Sequence, residues 1–225
     1  MSQISETYLI DCMEYMAGLP DKFFDLAVVD PPYGSGIMAK NKFQRHKNTD
    51  TTYRNKSIPP KEYYRELERV SKASIIWGCQ YQMQYMNPNG SFIIWDKHAD
   101  PDKHNMSAVD VAWYSRRKQI KKFDGHWCGA VKCESEKTIH IHQKPVSLYK
   151  WIFQNYAKPG QVILDTHLGS QSSRIAAWDM GMDFYGCEID KKYFDDGNKR
   201  FEAHKKRPAL FVPEQMYSFQ SQIEF

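Results

Sequence analysis

Phe24-Asp25-Leu26-Ala27-Val28-Val29 runs without interruption into Asp30-Pro31-Pro32-Tyr33-Gly34. The unbroken apolar run Leu-Ala-Val-Val is the pattern of a strand covered on both faces, as in a parallel sheet. It ends in a carboxylate, two prolines and an aromatic ring, at the kind of strand end where open α/β sheets bind ligands. Two successive prolines fix the backbone and remove two N–H donors, so the turn presents carbonyl acceptors. An isolated Asp-Pro-Pro is compatible with a plain turn; four such residues closing an apolar strand point to a site.

Outward from this stretch, short apolar runs alternate with amphipathic ones, which reads as α/β. Strands are predicted at residues 7–10, 25–30, 74–77, 91–95, 109–115, 161–165 and 184–188. Helices are predicted at 60–70, 80–85, 145–156, 172–180 and 191–205. Pro60 and Pro145 suit first helical positions, while Lys158-Pro159-Gly160 and Gly181 suit helix stops. Residues 34–59 lack periodicity, and a loop of that length inside a domain is usually functional. Trp77, Trp95 and Trp113 lie on strand patterns and read as core.

The 225 residues suffice for one full domain with a self-sufficient core. With 41% hydrophobic residues and 32 aromatics, disorder throughout is excluded. No apolar stretch reaches the ~18 residues of a membrane span, and no secretory leader opens the chain. Five cysteines at irregular spacing argue for free thiols in a reducing cytoplasm. The net charge of +4 hides clustering. Lys40, Lys42, Arg45, Lys47, Arg54 and Lys56 face one acid, Asp50; Arg116, Arg117 and Lys118 open a second basic run; residues 199–207 hold a third. Basic residues beside aromatics such as Phe43, Tyr53 and Phe123 can neutralise phosphates and stack on bases, although solvated loops also read this way.

Asp30 and the Pro31 carbonyl can together accept both hydrogens of one exocyclic amine. A base amine is a poor nucleophile because its lone pair is delocalised into the ring. Two acceptors localise that pair, and the carboxylate stabilises the positive charge that develops on alkylation. Tyr33 offers a face to a base taken out of its helix. The residues Asp30-Pro31-Pro32-Tyr33 resemble the catalytic motif of S-adenosylmethionine-dependent DNA amino-methyltransferases. The resemblance implies a Rossmann-like α/β fold with a seven-stranded, mostly parallel sheet whose last strand is antiparallel. It also implies that Asp30, Pro31, Pro32 and Tyr33 are catalytic.

A second strand-to-helix turn lies at Val162-Ile163-Leu164-Asp165-Thr166-His167-Leu168-Gly169-Ser170-Gln171-Ser172-Ser173-Arg174-Ile175. A strand ending in Asp and a small-residue turn opening a helix can present backbone N–H groups to a ligand. Glu188 follows Asp165 by 23 residues, the spacing at which an acid grips ribose hydroxyls in nucleotide sites. An ordinary βαβ turn also fits this segment on its own. Beside the first motif, it resembles the family's S-adenosylmethionine loop. That resemblance implies cofactor contacts from Asp165, Thr166, His167, Leu168, Gly169, Ser170, Ser172 and Ser173, with Glu188 on the ribose and Ile189 beside it. Leu9-Ile10-Asp11-Cys12-Met13-Glu14 resembles the segment that recognises the cofactor adenine, implicating Asp11 and Cys12. His142-Gln143-Lys144-Pro145 resembles the motif that closes the methionine end, implicating Lys144. Catalytic motif first and cofactor loop last is the circularly permuted order of the family's beta class.

The resemblance implies a methyltransferase domain over 1–212, a DNA-contacting loop at 34–59, a short target-recognition segment at 116–140 and a tail at 213–225. Double-stranded DNA is the implied partner, and the brevity of 116–140 favours a short target or a partner subunit such as a second copy. Asp at position 30 points to adenine N6, with cytosine N4 as rival. A DNA-binding module without turnover, or methylation of RNA or a protein amide, stays open. The absence of a Pro-Cys pair argues against cytosine carbon-5. His126, Cys128, Cys133, His140 and His142 are too loosely spaced to imply a metal. Gln171 departs from the family, whose loop usually has a small residue there. If Gln171 adopts φ > 0, it costs about 1–2 kcal/mol and weakens cofactor binding; otherwise its side chain points outward.

Overall fold

Leu26–Val29 (β2) is buried at every residue, as its apolar run demands, and pairs in parallel with the equally buried Ser74–Trp77 (β3). The computed structural model describes residues 3–34, 57–100, 102, 107–128, 131–132, 138–140 and 142–207. The basic loop residues from Lys40 to Lys56, Cys133 and the 213–225 tail fall outside these residues. The chain divides into two compact units, one of Met13–Ser135 and one of Met1–Cys12 with Glu136–Phe225.

In the Met13–Ser135 unit, β3 pairs antiparallel with Val109–Tyr114 (β5), which also runs antiparallel to Ser91–Asp96 (β4). β4 then pairs in parallel with Lys121–Asp124 (β6). Trp127–Cys128 (β7) and Val131–Lys132 (β8) form a separate hairpin. The strand that opposes its neighbours is thus β5, mid-chain, where a permuted order puts it. Lys61–Val70 (α2) follows the extended Pro60 and buries Tyr63, Tyr64, Leu67 and Val70, one helical face. Arg69 fixes the end of the helix Cys12–Ala17 (α1) through the carbonyls of Met16 and Leu19, with Glu66 and Asp21 balancing its charge. Trp77, Trp95 and Trp113 are buried, as expected.

In the other unit, Ser5–Leu9 (β1), Asp183–Glu188 (β10) and Val162–Asp165 (β9) make a parallel ladder in that order. Val146–Tyr156 (α3), Ser172–Asp179 (α4) and Lys191–Lys205 (α5) belong to the same unit. Asp190 caps α5 by accepting from the N–H groups of Lys192 and Tyr193. Asp179 of α4 is bonded by His204 of α5 and Lys150 of α3, each at 2.6 Å. Burial alone raises the Asp179 carboxyl, but these two bonds outweigh it and hold the group below its ordinary value.

The α/β reading is borne out, with some differences of detail. Besides the β7–β8 hairpin, the described residues hold eight strands, one beyond the implied seven; β6 was not expected, because Lys-Lys-Phe-Asp has no apolar run. The predicted helix at 80–85 is two single 3₁₀ turns, Cys79–Tyr81 and Met83–Tyr85, separated by Gln82 at ψ 7°. Pro145 and Pro60 sit at N-cap rather than first helical positions, both extended. Among the described residues, no helix is long and apolar enough to cross a membrane.

Candidate active site

Asp30, Pro31, Pro32 and Tyr33 directly follow β2, with Pro31 buried and the other three half-buried. Tyr33 donates its hydroxyl to Asp30 Oδ1, so the ring and the carboxylate orient each other. The ring lies over Gly78, the residue that follows β3, and a methyl group on the Gly78 Cα would overlap Cε1, Cδ1 and Cζ of Tyr33. Gly78 is left-handed at φ 66° and accepts the N–H of Tyr81. Tyr81 in turn places its ring 5.5 Å from that of Tyr33, tilted by 32°. Next along the chain, Gln82 is buried and accepts from Tyr64, which stacks on Tyr85. Burial, and Tyr85 beside it, push the Tyr64 phenol well above its usual value, so it stays protonated and keeps donating. Sequence reading did not single out Gly78 or Tyr81. The available signal was that they follow β3, the parallel neighbour of β2, because adjacent strand ends in such sheets share one edge.

In the other unit, the turn after β9 is closed by its own side chains. Asp165 is buried; its Oδ1 accepts the N–H of His167 at 3.0 Å and its Oδ2 the Ser173 hydroxyl at 2.5 Å. Leu168 fills the space over Gly186, where a Cβ would meet it. Gly169 is left-handed at φ 47°, lies under the His140 ring and donates its N–H to Glu188 at 2.9 Å. Ser170 and Ser172 bond each other, and Arg200 binds the Ser170 carbonyl and the Ser172 hydroxyl. The Thr166 hydroxyl meets His167 Nδ1 at 3.0 Å.

Gln171 has φ 59°, so the left-handed conformation foreseen as costly is the one adopted. The alternative of an outward-pointing side chain does not hold, because Gln171 is fully buried. Its amide donates to Asn198 Oδ1 at 3.1 Å and the Phe194 carbonyl at 3.4 Å, and its Oε1 accepts from Arg174 at 2.9 Å. Arg174 reaches on to Asn198, Thr7 and both the hydroxyl and carbonyl of Ser5, with its guanidinium 3.8 Å from the Phe201 ring centre. No carboxylate pairs with it among the described residues, and burial lowers it to about 10. Gly197 leaves the room: a Cβ there would stand 2.7 Å from Gln171 Cγ. At about 1 kcal/mol per net hydrogen bond, this network outweighs the left-handed strain.

The expected cofactor residues therefore divide. Asp165, Ser170, Ser172 and Ser173 are buried and hydrogen-bonded within the turn, whereas Asp11 and Ile189 are exposed, and Cys12 and His167 are intermediate. Glu188 accepts three backbone N–H groups, from Gly169, Ile189 and Asp190. Oε1 takes two of them, which leaves Oε2 as the oxygen open to a hydroxyl. The unit fits a carboxylate-bearing nucleoside cofactor on two further observations. The N-cap residue of α4, Gln171, makes no side-chain cap hydrogen bond to it. Gln143, in the His142-Gln143-Lys144-Pro145 segment, is buried and has no partner for Nε2 among the described residues. Lys144 is buried beside it in sequence. Gln143 is a third residue that sequence reading passed over, although it lies within the motif.

Arg116, Arg117 and Lys118, expected to contact DNA, are exposed, with Arg116 bonded to the Lys72 carbonyl. Asp96, His98 and Asp124 bring ligand-type atoms within 4.8 Å, but Lys122 already bridges the two carboxylates.

Residues 94–199 match the N6/N4 methyltransferase family model, described as DNA methylase. The Asp30-Pro31-Pro32-Tyr33 turn precedes the matched stretch. A curated relative, the type II methyltransferase M1.MboII of Moraxella bovis, is 21% identical over 88% of this chain and 96% of its own length. Among solved structures, the S-adenosylmethionine complex of M1.HpyAVI is similar with a TM-score of 0.59 and 18% identity, over 87% of this chain and 98% of that one. The PvuII DNA methyltransferase, described as cytosine-N4-specific, has a TM-score of 0.59 and 11% identity, over 98% of this chain and 93% of that one. These structures share the fold.

Proposed function

We propose that this chain, a member of the S-adenosylmethionine-dependent DNA amino-methyltransferase family, methylates the N6 amine of an adenine turned out of duplex DNA. The observation that carries the reading is the turn after β2, where a proline-fixed backbone and a carboxylate oriented by Tyr33 stand at the end of a buried strand. When bound, S-adenosylmethionine supplies an electrophilic sulfonium methyl group. Asp30 and the Pro31 carbonyl accept the two hydrogens of the target amine, which directs its lone pair outward and stabilises the charge formed as nitrogen is alkylated. Pro32 keeps the turn rigid, and Tyr33 gives the extruded base a face to stack on.

The Met1–Cys12 and Glu136–Phe225 unit carries the cofactor residues. Glu188 receives a ribose hydroxyl, Ile189 and Asp11 with Cys12 frame the adenine, and Lys144 with Gln143 meets the methionine end. Thr166, His167, Leu168 and Gly169 form the floor through backbone and packing, while Asp165, Ser170, Ser172 and Ser173 hold the turn in shape. Arg116, Arg117 and Lys118 are proposed to contact phosphates. Asp at position 30 favours adenine; the fold does not choose, since a cytosine-N4-specific enzyme shares it.

Incubation with labelled S-adenosylmethionine and unmethylated duplex DNA, followed by digestion to nucleosides, tests the reading. The expected product is N6-methyladenine. N4-methylcytosine would move the substrate to the other amine, and label absent from every nucleoside would overturn the reading.

A further inference from the structure

The residue that sets the position of the Tyr33 face belongs to a different strand. We infer that Gly78 is a positioning residue for the transfer reaction, acting through the ring of Tyr33; this rests on the reading above. Three observations carry it. A methyl group on the Gly78 Cα would overlap three atoms of the Tyr33 ring, so that ring occupies the space a side chain would need. The Gly78 backbone is itself held, its N–H donating to the Val111 carbonyl at 3.0 Å and its carbonyl accepting from Tyr81 at 3.1 Å. It is therefore a fixed floor. Tyr81, carried by the same turn, meets Tyr33 at 5.5 Å between ring centres, so the turn contacts the ring at two points.

The consequence reaches Asp30. The Tyr33 hydroxyl is the donor that orients Asp30 Oδ1, so a ring displaced from Gly78 moves both the stacking face and the carboxylate that receives the amine. Glycine at position 78 thus answers to two demands. Its left-handed φ of 66° could be met by another residue at modest cost, as Gln171 shows in the other unit. The contact with the ring allows no side chain at all.

Gly78→Ala, made in the wild type and in a Tyr33→Ala background, separates these demands. The strain of a Cβ at this φ is common to both backgrounds and cancels in the comparison. The inference expects Gly78→Ala to lower kcat for methyl transfer to unmethylated duplex DNA at least tenfold. S-adenosylmethionine affinity by calorimetry should stay within twofold. In the Tyr33→Ala background the same change should alter transfer by less than twofold. Thermal melting of the four proteins supplies a readout independent of activity: Gly78→Ala should lower the melting temperature more with Tyr33 than without it. A variant that folds only in the Tyr33→Ala background would support the inference as well. Equal losses of rate and of melting temperature in both backgrounds would overturn it. A wild type that transfers no methyl group to DNA would instead overturn the functional reading, and the melting comparison would still decide whether the ring rests on Gly78.

Discussion

Gly78 and Gln171 are both left-handed residues at turns that follow buried parallel strands, with φ of 66° and 59°. The neighbours explain why one is glycine and the other is not. Gln171 turns its side chain into a buried polar network with Arg174 and Asn198, so the side chain is the reason the turn holds. At Gly78 the corresponding space belongs to the Tyr33 ring. Of these two left-handed positions, the one another group approaches closely is glycine, and the other holds a side chain with enough hydrogen bonds to settle there. The turn after β9 and the turn after β2, which carries Tyr33, differ in the same sense as wholes. The one after β9 is cross-linked by Asp165, Ser170, Ser172, Ser173 and Arg200, while in the one after β2 the polar side chains are joined by the Tyr33 to Asp30 bond.

Replacing Arg174 should have the largest effect on stability. Arg174→Leu leaves Gln171 Oε1, Asn198 Oδ1 and the Ser5 carbonyl without their shared donor, and urea unfolding should show a loss of about 3 kcal/mol. A loss near zero would mean that the network does not hold the turn. Gln171→Gly comes next. It relieves about 1 kcal/mol of strain but removes three hydrogen bonds, for a net loss of about 1–2 kcal/mol, and it should not improve S-adenosylmethionine affinity. An affinity gain of more than tenfold in a binding titration would restore the view that the glutamine impairs the loop.

The smallest effect is on pH dependence. The folded-state pKa of Asp179 is depressed, so its contribution is present above the unfolded carboxylate value of about 3.9 and is lost as pH falls through the folded value. Between pH 7 and a pH below 4, the melting temperature of Asp179→Asn should therefore fall less than that of the wild type. An equal loss in both proteins would remove Asp179 from the account.

What could be read from the sequence follows from where burial dominates. β2, β3 and β9 were legible because each carries a short apolar run. β6 was not, since a strand of alternating half-buried and exposed residues written Lys-Lys-Phe-Asp gives no hydrophobic signal. The 3₁₀ turns after Gly78 passed for a helix because their spacing is helical over six residues, too few for the period to discriminate. In the candidate site, the Asp30 turn and the Gly169 turn stood out by residue type. Their partners did not: Gly78, Gln143 and the Gln171–Arg174–Asn198 network depend on which distant segments meet, which residue type alone does not encode. The departure at Gln171 was visible in sequence, but its sign was not, because Asn198 and Gly197 lie a helix away.

The most direct test compares the wild type with Asp30→Ala in labelled-methyl transfer to unmethylated duplex DNA, alongside calorimetric titration of S-adenosylmethionine. The account predicts label in the DNA with the wild type, a loss of at least a thousandfold in the variant, and cofactor affinity unchanged within twofold. Transfer by Asp30→Ala at the wild-type rate would contradict it.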